Sequence, residues 1–404
     1  MPAAPRILLV DADAFYVAVA RMVDPEGAGR APLLIVGGSA ASRGVVCSAS
    51  YEARKFGVRS AMPMARAVRL CPRALVVPVP RGACSAKSRE IHGVLERFAP
   101  MVEGASIDEW YLDLSGTEGL YRGEPLAETA RRIRAAVAAE TALTVSIGGG
   151  TSKLVAKLAV EWAKPSRGAA GVHVVEPGAE GEFMRRFGLA DIPGVGPRAQ
   201  ERLARAGLRT VDDVLARDLD SLVRLLGERG AHWLADRVHG VDHSTVDPRG
   251  DPKSISREDT FAEDLADDAA LERELLALAS RAAADLRAEG YAARTVTVKI
   301  KDADFRRRQA GRTLPEAVES DRAVYAVARE LLRRLRAERR VPARLLGVAL
   351  SSLASHPGAA QPSLFGGDAG AAVETEKDRA VSHALDAVRA KFGRGALAMG
   401  RVRE

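Results

Sequence analysis

Ile7-Leu-Leu-Val10 is a short, unbroken apolar run that ends directly on Asp11. A strand that is apolar at every position has both faces covered. Such a strand belongs in the middle of a sheet, and its last residue lifts a carboxylate to the sheet's rim. A solvated carboxylate at a strand end costs little, so taken alone it reads as an ordinary turn feature. A second acidic pair, Asp108-Glu109, sits inside Val102–Leu114, where two half-apolar arms flank Ser106-Ile-Asp-Glu109. That pattern reads as a hairpin.

Around these two features strands and helices mix without strict alternation, the mark of an α+β multidomain chain. Leu33–Val36 reads as a strand, and Leu126, Ala130, Ile133 and Val137 have helical spacing over 126–140. Thr144–Ile147 reads as a strand that Gly148-Gly-Gly150 breaks, leaving a lax loop before a helix from Ser152 to Ala163. Past Pro177, short helical segments surround Ile192-Pro-Gly-Val-Gly-Pro197, and a small all-helical domain extends to about His243. Val246–Pro252 reads as a linker. From Ser254, helices over 269–289 and 322–338 and strands over 295–301 and 343–350 should form a small sheet with both helices on one face. Ser355–Val373 is rich in Gly, Ala and Pro and is expected to be flexible, with a last helix over 375–392.

Composition narrows the classes. With 404 residues, 47 % hydrophobic and 28 % charged, the chain has material for several cores. No segment is apolar for long enough to span a membrane. The first residues lack the pattern of a secretory leader, so a cytoplasmic location is expected. Cys47, Cys71 and Cys84 are read as free thiols. His239 and His243 lack a further ligand nearby and are read as ordinary histidines rather than a zinc site. The net charge of +7 is compatible with a polyanionic partner.

Carboxylates from two neighbouring strands are hard oxygen donors of the kind Mg²⁺ uses when it also binds substrate phosphates. Tyr51 and Arg54 are three apart and share a helix face, and Arg54 has the fork geometry that phosphate oxygens accept. Lys164 adds a point charge and Pro165 ends its helix. Lys153 and Lys157 are expected to face water or DNA. Asp13 is expected to support the site rather than to bind metal. Gly194 and Gly196 let backbone N–H groups approach a phosphate closely, and Leu225–Gly230 is a poorer copy of that turn. Arg257, Arg294, Lys299, Lys301, Arg306, Arg307, Arg308 and Arg312 gather around one strand-turn-strand, with Lys299 and Lys301 on one face. That face is expected to lie against DNA.

These segments carry a resemblance. Val10-Asp-Ala-Asp-Ala-Phe-Tyr16, Ser50-Tyr-Glu-Ala-Arg-Lys-Phe-Gly-Val58, Ser106-Ile-Asp-Glu-Trp-Tyr-Leu-Asp113, Ala163-Lys-Pro165 and Ile192-Pro-Gly-Val-Gly196 resemble, in order, the motifs of the bacterial Y-family (translesion) DNA polymerases. The matches span about Ile7 to Leu350. The resemblance implies a right-hand polymerase: palm over 1–14 and 80–172, fingers over 15–79, helical thumb over 173–245, a linker over 246–253, a DNA-gripping little finger over 254–352 and a tail over 353–404. It implies a primer-template DNA and deoxyribonucleoside triphosphates as partners, and two Mg²⁺ held by Asp11, Asp108, Glu109 and the Ala12 carbonyl. Tyr51, Arg54 and Lys164 would surround the β- and γ-phosphates. Tyr16, rather than its neighbour Phe15, would exclude a ribose 2′-hydroxyl, and the small residues Val45–Ala49 would roof the new base pair loosely. Gln361-Pro-Ser-Leu-Phe365 resembles a bacterial sliding-clamp-binding segment, with Gln361, Leu364 and Phe365 as its contacts. A monomer without proofreading is expected. A catalytically inactive DNA-binding adaptor of the same fold would have lost the carboxylates, and a nucleotidyl cyclase would leave the helical and basic regions without a purpose. Ala12, Ala14 and Ala20 depart from the residues usual in the family but remove no ligand.

Overall fold

The computed structural model describes residues 4–248, 250–355, 373–393 and 396–397. They fall into two compact units, Met1–Gly250 and Asp251–Glu404.

The first unit is built on a five-stranded sheet in the order Met101–Gly104, Glu109–Asp113, Ile7–Ala12, Val145–Gly150, Val172–Val174. The apolar run at Ile7 is the central strand, antiparallel to both neighbours. Its alternation assigns the two faces. Leu8 and Val10 join Leu112, Val145 and Ile147 against Ile91, Leu95, Ile133 and Val137, which belong to the helices Arg81–Leu95 and Leu126–Thr141. Ile7 and Leu9 face Ala156 and Val160 of the helix Lys153–Ala163 on the opposite side. Each of these fully buried side chains contributes roughly 1.5–3 kcal/mol, so a register slip of one residue would be strongly opposed.

The three glycines do not break this sheet. Val145–Gly150 runs through all of them as one buried strand. A Cβ at Gly148 would lie 2.2 Å from Val160 N and 2.3 Å from Ala156 O, which are backbone atoms of the overlying helix. Glycine is present because the helix lies directly on the strand, and a side chain would hold it off. The expected lax loop is therefore a tightly packed contact.

A second, three-stranded sheet has Leu34–Gly37 between Val46–Ala49 and Leu75–Val77, with Tyr51–Arg54 and Met64–Leu70 as its short helices. Ser50 caps the first of these by accepting from Ala53 N, and its hydroxyl donates to Pro32 O at 2.8 Å. Beyond the large sheet, Pro197–Arg205, Val211–Leu215, Leu219–Leu226 and Glu228–Val238 form the all-helical part. Leu203, Leu208, Val214, Leu222 and Leu234 make its core.

The second unit is a four-stranded antiparallel sheet in the order Arg307–Val318, Tyr291–Asp302, Ala343–Ser355, Ser254–Leu265. Helices Asp268–Ala288 and Asp321–Glu338 cover one face, burying Val296, Val298 and Ile300. The strand Ser254–Leu265 was not evident in the sequence, because an edge strand with so little buried surface carries no apolar alternation. The last helix, Glu376–Phe392, is held onto this unit by polar contacts. Glu374 accepts from the N–H groups of Glu319 and Ser320, and Arg287 is shared between Asp321 and Asp386. The cysteines are free: Cys71 and Cys84 are buried and Cys47 is exposed.

Candidate active site

Strand parity aims the acids. Asp11 has the same parity as Ile7 and Leu9, so it faces the helix Lys153–Ala163. Glu109 lies directly opposite Asp11 in the antiparallel register, which puts both side chains on that face. Asp108 precedes the strand in the turn, where its carbonyl accepts from Ala12 N at 2.9 Å and its carboxylate accepts from Ser106 Oγ at 2.5 Å. Asp13 is buried and accepts from Ser146 Oγ at 2.7 Å.

The helix over these acids presents a row of lysines. Lys153 donates to both carboxylate oxygens of Glu103 at 2.7 Å and sits 4.5 Å from the centre of the Tyr111 ring. Lys157 pairs with Glu109, and Lys164, just past the helix end, pairs with Asp11. The expectation that Lys153 and Lys157 face water or DNA therefore needs correcting: both turn inward onto acids of the sheet. Residues 153, 157 and 164 recur on one helical face, so the signal was present, but nothing in the sequence tied that face to Asp11.

The electrostatics follow from burial and crowding. Burial pushes the Asp11 carboxyl up to about 7; Lys164 opposes this, and Glu109 and Asp108 push it further. Burial works against the Lys164 ammonium, but Asp11 outweighs it and holds the group above its ordinary value. Tyr51 is raised by burial and then by Asp13, with Lys164 and Arg54 opposing. Arg54 lies 5.1 Å from the Tyr51 ring centre, and its Nε donates to Ala49 O at 2.9 Å. Tyr51, Arg54, Lys164 and Asp11 thus share one electrostatic neighbourhood although they come from distant parts of the chain. Tyr16 is raised by burial and then by Asp108. It is half-buried, whereas Phe15 is 2 % exposed and belongs to the core. Cys47 and Val45 are exposed along the strand edge before Tyr51.

As they stand, no three His, Cys, Asp or Glu side chains among the described residues are grouped to hold a metal ion. Each acid points to a partner: Asp11 to Lys164, Glu109 to Lys157, Asp108 to Ser106. The donor chemistry nevertheless fits a hard divalent cation. Asp11 and Glu109 are direct cross-strand neighbours, Asp108 is adjacent, and all three are oxygen donors crowded enough to favour additional positive charge.

Further along the same unit, Gly194 has a left-handed backbone (φ 98°), and a Cβ there would meet the Trp233 ring at 2.7 Å. Gly196 has open space around it and precedes the helix Pro197–Arg205. A cavity of about 140 Å³ is lined by Tyr111, Lys153, Lys157, Pro193 and Arg237, so it connects the acid-bearing face to this turn.

In the second unit, Lys299 and Lys301 share the sheet face away from the helices with Arg307, which is opposite Lys301. Lys299 also reaches Glu258 at 2.7 Å. Arg308 and Arg312, expected with them, have the opposite parity. Arg308 pairs with buried Asp302 and Arg312 with Glu330 of a covering helix, so both are tied into the unit's own packing. Arg257 pairs with Asp285, Arg294 donates to Leu314 O, and Arg306 is exposed at the turn. Gln361, Leu364 and Phe365 lie outside the described residues.

A five-stranded sheet with a rim of carboxylates, a small three-stranded sheet carrying Tyr51 and Arg54, a helical part and a second unit built on a four-stranded sheet are the components of a right-hand polymerase. The comparisons agree. The structure superposes on a Y-family DNA polymerase chimera of Dbh and Dpo4 with a TM-score of 0.77 at 26 % identity, covering 87 % of this chain and 100 % of that one. An insertion ternary complex of Dbh DNA polymerase gives 0.60 at 27 % identity, covering 86 % and 98 %. The DNA polymerase IV of Caulobacter vibrioides is 38 % identical over 97 % of this chain and 93 % of its own. That of Halorhodospira halophila is 40 % identical over 86 % and 95 %. Residues 10–161 match the impB/mucB/samB family and residues 252–364 its C-terminal domain. The chain belongs to the impB/mucB/samB family of Y-family DNA polymerases. Dependence on a divalent metal comes with that membership.

Proposed function

We propose that this chain adds deoxyribonucleotides to a primer 3′-end on a DNA template, with low fidelity, across lesions and without proofreading, using two Mg²⁺ ions. The observation that carries the site assignment is the cross-strand pairing of Asp11 with Glu109, next to Asp108, on the face that also holds Lys164. Asp11 and Asp108 would hold both ions, Glu109 the one nearer the primer end, and the Ala12 carbonyl would add a ligand. When bound, the ions would supply Lewis-acid activation of the attacking hydroxyl and charge neutralisation at the phosphates.

The chain's own residues do the rest. Arg54 and Tyr51, one turn apart on a short helix, would orient the outer phosphates, with Lys164 as a point charge. Tyr16 would lie under the sugar and leave no room for a 2′-hydroxyl. Val45–Ala49 would form a low-bulk roof over the new base pair, which suits distorted template bases. Gly194 and Gly196 would approach a backbone phosphate without reading sequence. The outer face bearing Lys299, Lys301 and Arg307 would track the duplex.

On this reading the palm is 1–14 with 80–172, the fingers 15–79, the thumb 173–245 and the little finger 254–352. Sliding-clamp binding through Gln361, Leu364 and Phe365, a monomeric state and a cytoplasmic location complete the proposal and rest on the sequence. No described helix is long and apolar enough to cross a membrane. Primer extension by the purified protein tests the reading. Wild type should extend a primer in the presence of Mg²⁺, and Asp108→Ala should lose the activity while keeping its melting temperature. Extension by Asp108→Ala at the wild-type rate would refute the site.

A further inference from the structure

Phe305 lies at the turn joining Tyr291–Asp302 to Arg307–Val318, and its exposure there is 58 %. Its backbone is left-handed, with φ 67°. That region is disfavoured for a bulky side chain and persists where the surroundings hold it. Here they do. Asp302 N donates to Arg306 O and Phe305 N to Asp302 O, each at 2.9 Å, and Ala303 N donates to Pro342 O at 2.9 Å. Below the turn, Asp302 is fully buried between Arg308 and Arg339, and Arg339 also grips Asp304 at 2.7 Å. These contacts hold the turn, yet among the described residues the ring at its tip packs into no core.

Two cations lie over the ring. Lys301 Nζ and the Arg344 guanidinium each lie 4.6 Å from its centre. Arg306 and Arg307 are exposed on either side of the following peptide. Exposed cation–π contacts are weak and about offset the cost of the backbone, so they do not explain a fixed, exposed phenyl ring on intramolecular grounds. An aromatic face bracketed by cations is what unpaired nucleic acid binds: bases stack on the ring while the adjoining phosphates meet the cations.

We propose that Phe305 is a stacking platform for an unpaired nucleobase of the DNA: the base takes a ring face that a cation covers in the free protein, and Lys301 and Arg344 turn to the phosphates on either side. This rests on the DNA polymerase reading and adds to it a base contact in a unit otherwise expected to touch only the DNA backbone.

The test uses the full chain and two primer-templates of one length. In one the template overhang carries bases, and in the other it carries abasic residues with the same phosphates. Fluorescence anisotropy gives Kd for each. Phe305→Ala and Phe305→Leu should both weaken binding to the base-bearing overhang by about 5-fold or more, the lower end of a base–aromatic contact. Both should leave binding to the abasic overhang unchanged. Phe305→Trp should bind like wild type, and the emission it adds to that of the three native tryptophans should be quenched only by the base-bearing overhang. The proposal is overturned if Phe305→Leu binds both DNAs as wild type does, or if the loss is equal on both. Equal loss would mean that the ring serves the backbone or the turn. Wild type that binds neither DNA and extends no primer would instead sink the polymerase reading itself.

Discussion

Replacing Gly148 by alanine adds one methyl group where the structure has no room for it. The new carbon would sit 2.2 Å from Val160 N and 2.3 Å from Ala156 O. Real Cβ contacts essentially never fall below 3.0 Å, so backbone must give by at least about 0.8 Å. Neither atom can rotate away, because both belong to the helix Lys153–Ala163. The helix must move off the sheet. Overpacking of this kind costs about 1–3 kcal/mol. In a unit of this size that lowers Tm by about 2–12 °C. The same displacement withdraws Lys157 from Glu109 and Lys164 from Asp11, and a misplacement of about 1 Å at a reacting centre costs on the order of 100-fold in rate. Gly149→Ala is the control. Its methyl would meet side-chain rather than backbone atoms, Leu8 and Val174 at 2.8 and 2.9 Å, so the overlying helix need not move. Differential scanning calorimetry and single-nucleotide insertion should therefore rank Gly148→Ala well below Gly149→Ala. If the two variants melt and insert alike, the claim that glycine is there to seat the helix is wrong.

Three further outcomes are expected. Tyr16→Ala should raise ribonucleotide incorporation by about 10-fold or more, the scale on which a steric pocket discriminates, measured by primer extension with each sugar; an unchanged sugar preference would reject the assignment. Arg287→Ala should destabilise the second unit by about 3–5 kcal/mol, because Arg287 is almost fully buried between Asp321, Asp386 and Glu319 O and its loss leaves Asp321 buried without its closest cation; chemical denaturation reads this, and Asp321→Asn in the same background should restore part of it. Glu374 gives a pH signature. Burial opposes ionisation, but hydrogen bonds from Ser320, Arg379 and Glu319 prevail and hold its carboxyl below the ordinary 4.5. Its stabilisation is therefore complete above that ordinary value and is lost as pH falls through the depressed one. Glu374→Gln should flatten the acid limb of the second unit's stability curve.

Much of the site was legible because strand parity is readable from a sequence. An apolar run ending at Asp11, and a hairpin carrying Asp108-Glu109, each assign an acid to a sheet rim. What the sequence does not carry is which helix face meets which sheet face. Lys157 could not be tied to Glu109, nor Lys153 to Glu103, because those contacts depend on how Lys153–Ala163 is laid across the sheet. The triple glycine was misread for a related reason. Glycine in isolation signals freedom, while beside a helix it signals close approach. In the second unit the basic residues are plain in the sequence, but the faces they occupy are not. Parity separates Lys299 and Lys301 from Arg308 and Arg312 only once the register of Arg307–Val318 is known. The edge strand Ser254–Leu265 was hidden by its polar surface.

The carboxylate assignment is tested most directly by counting bound Mn²⁺ by electron paramagnetic resonance. The full chain would carry primer-template DNA and a non-hydrolysable deoxynucleoside triphosphate. Wild type should hold two ions per chain, while Asp11→Asn and Asp108→Asn should each lose at least one without a change in DNA affinity. Full Mn²⁺ occupancy in both variants would mean that these side chains are not the ligands.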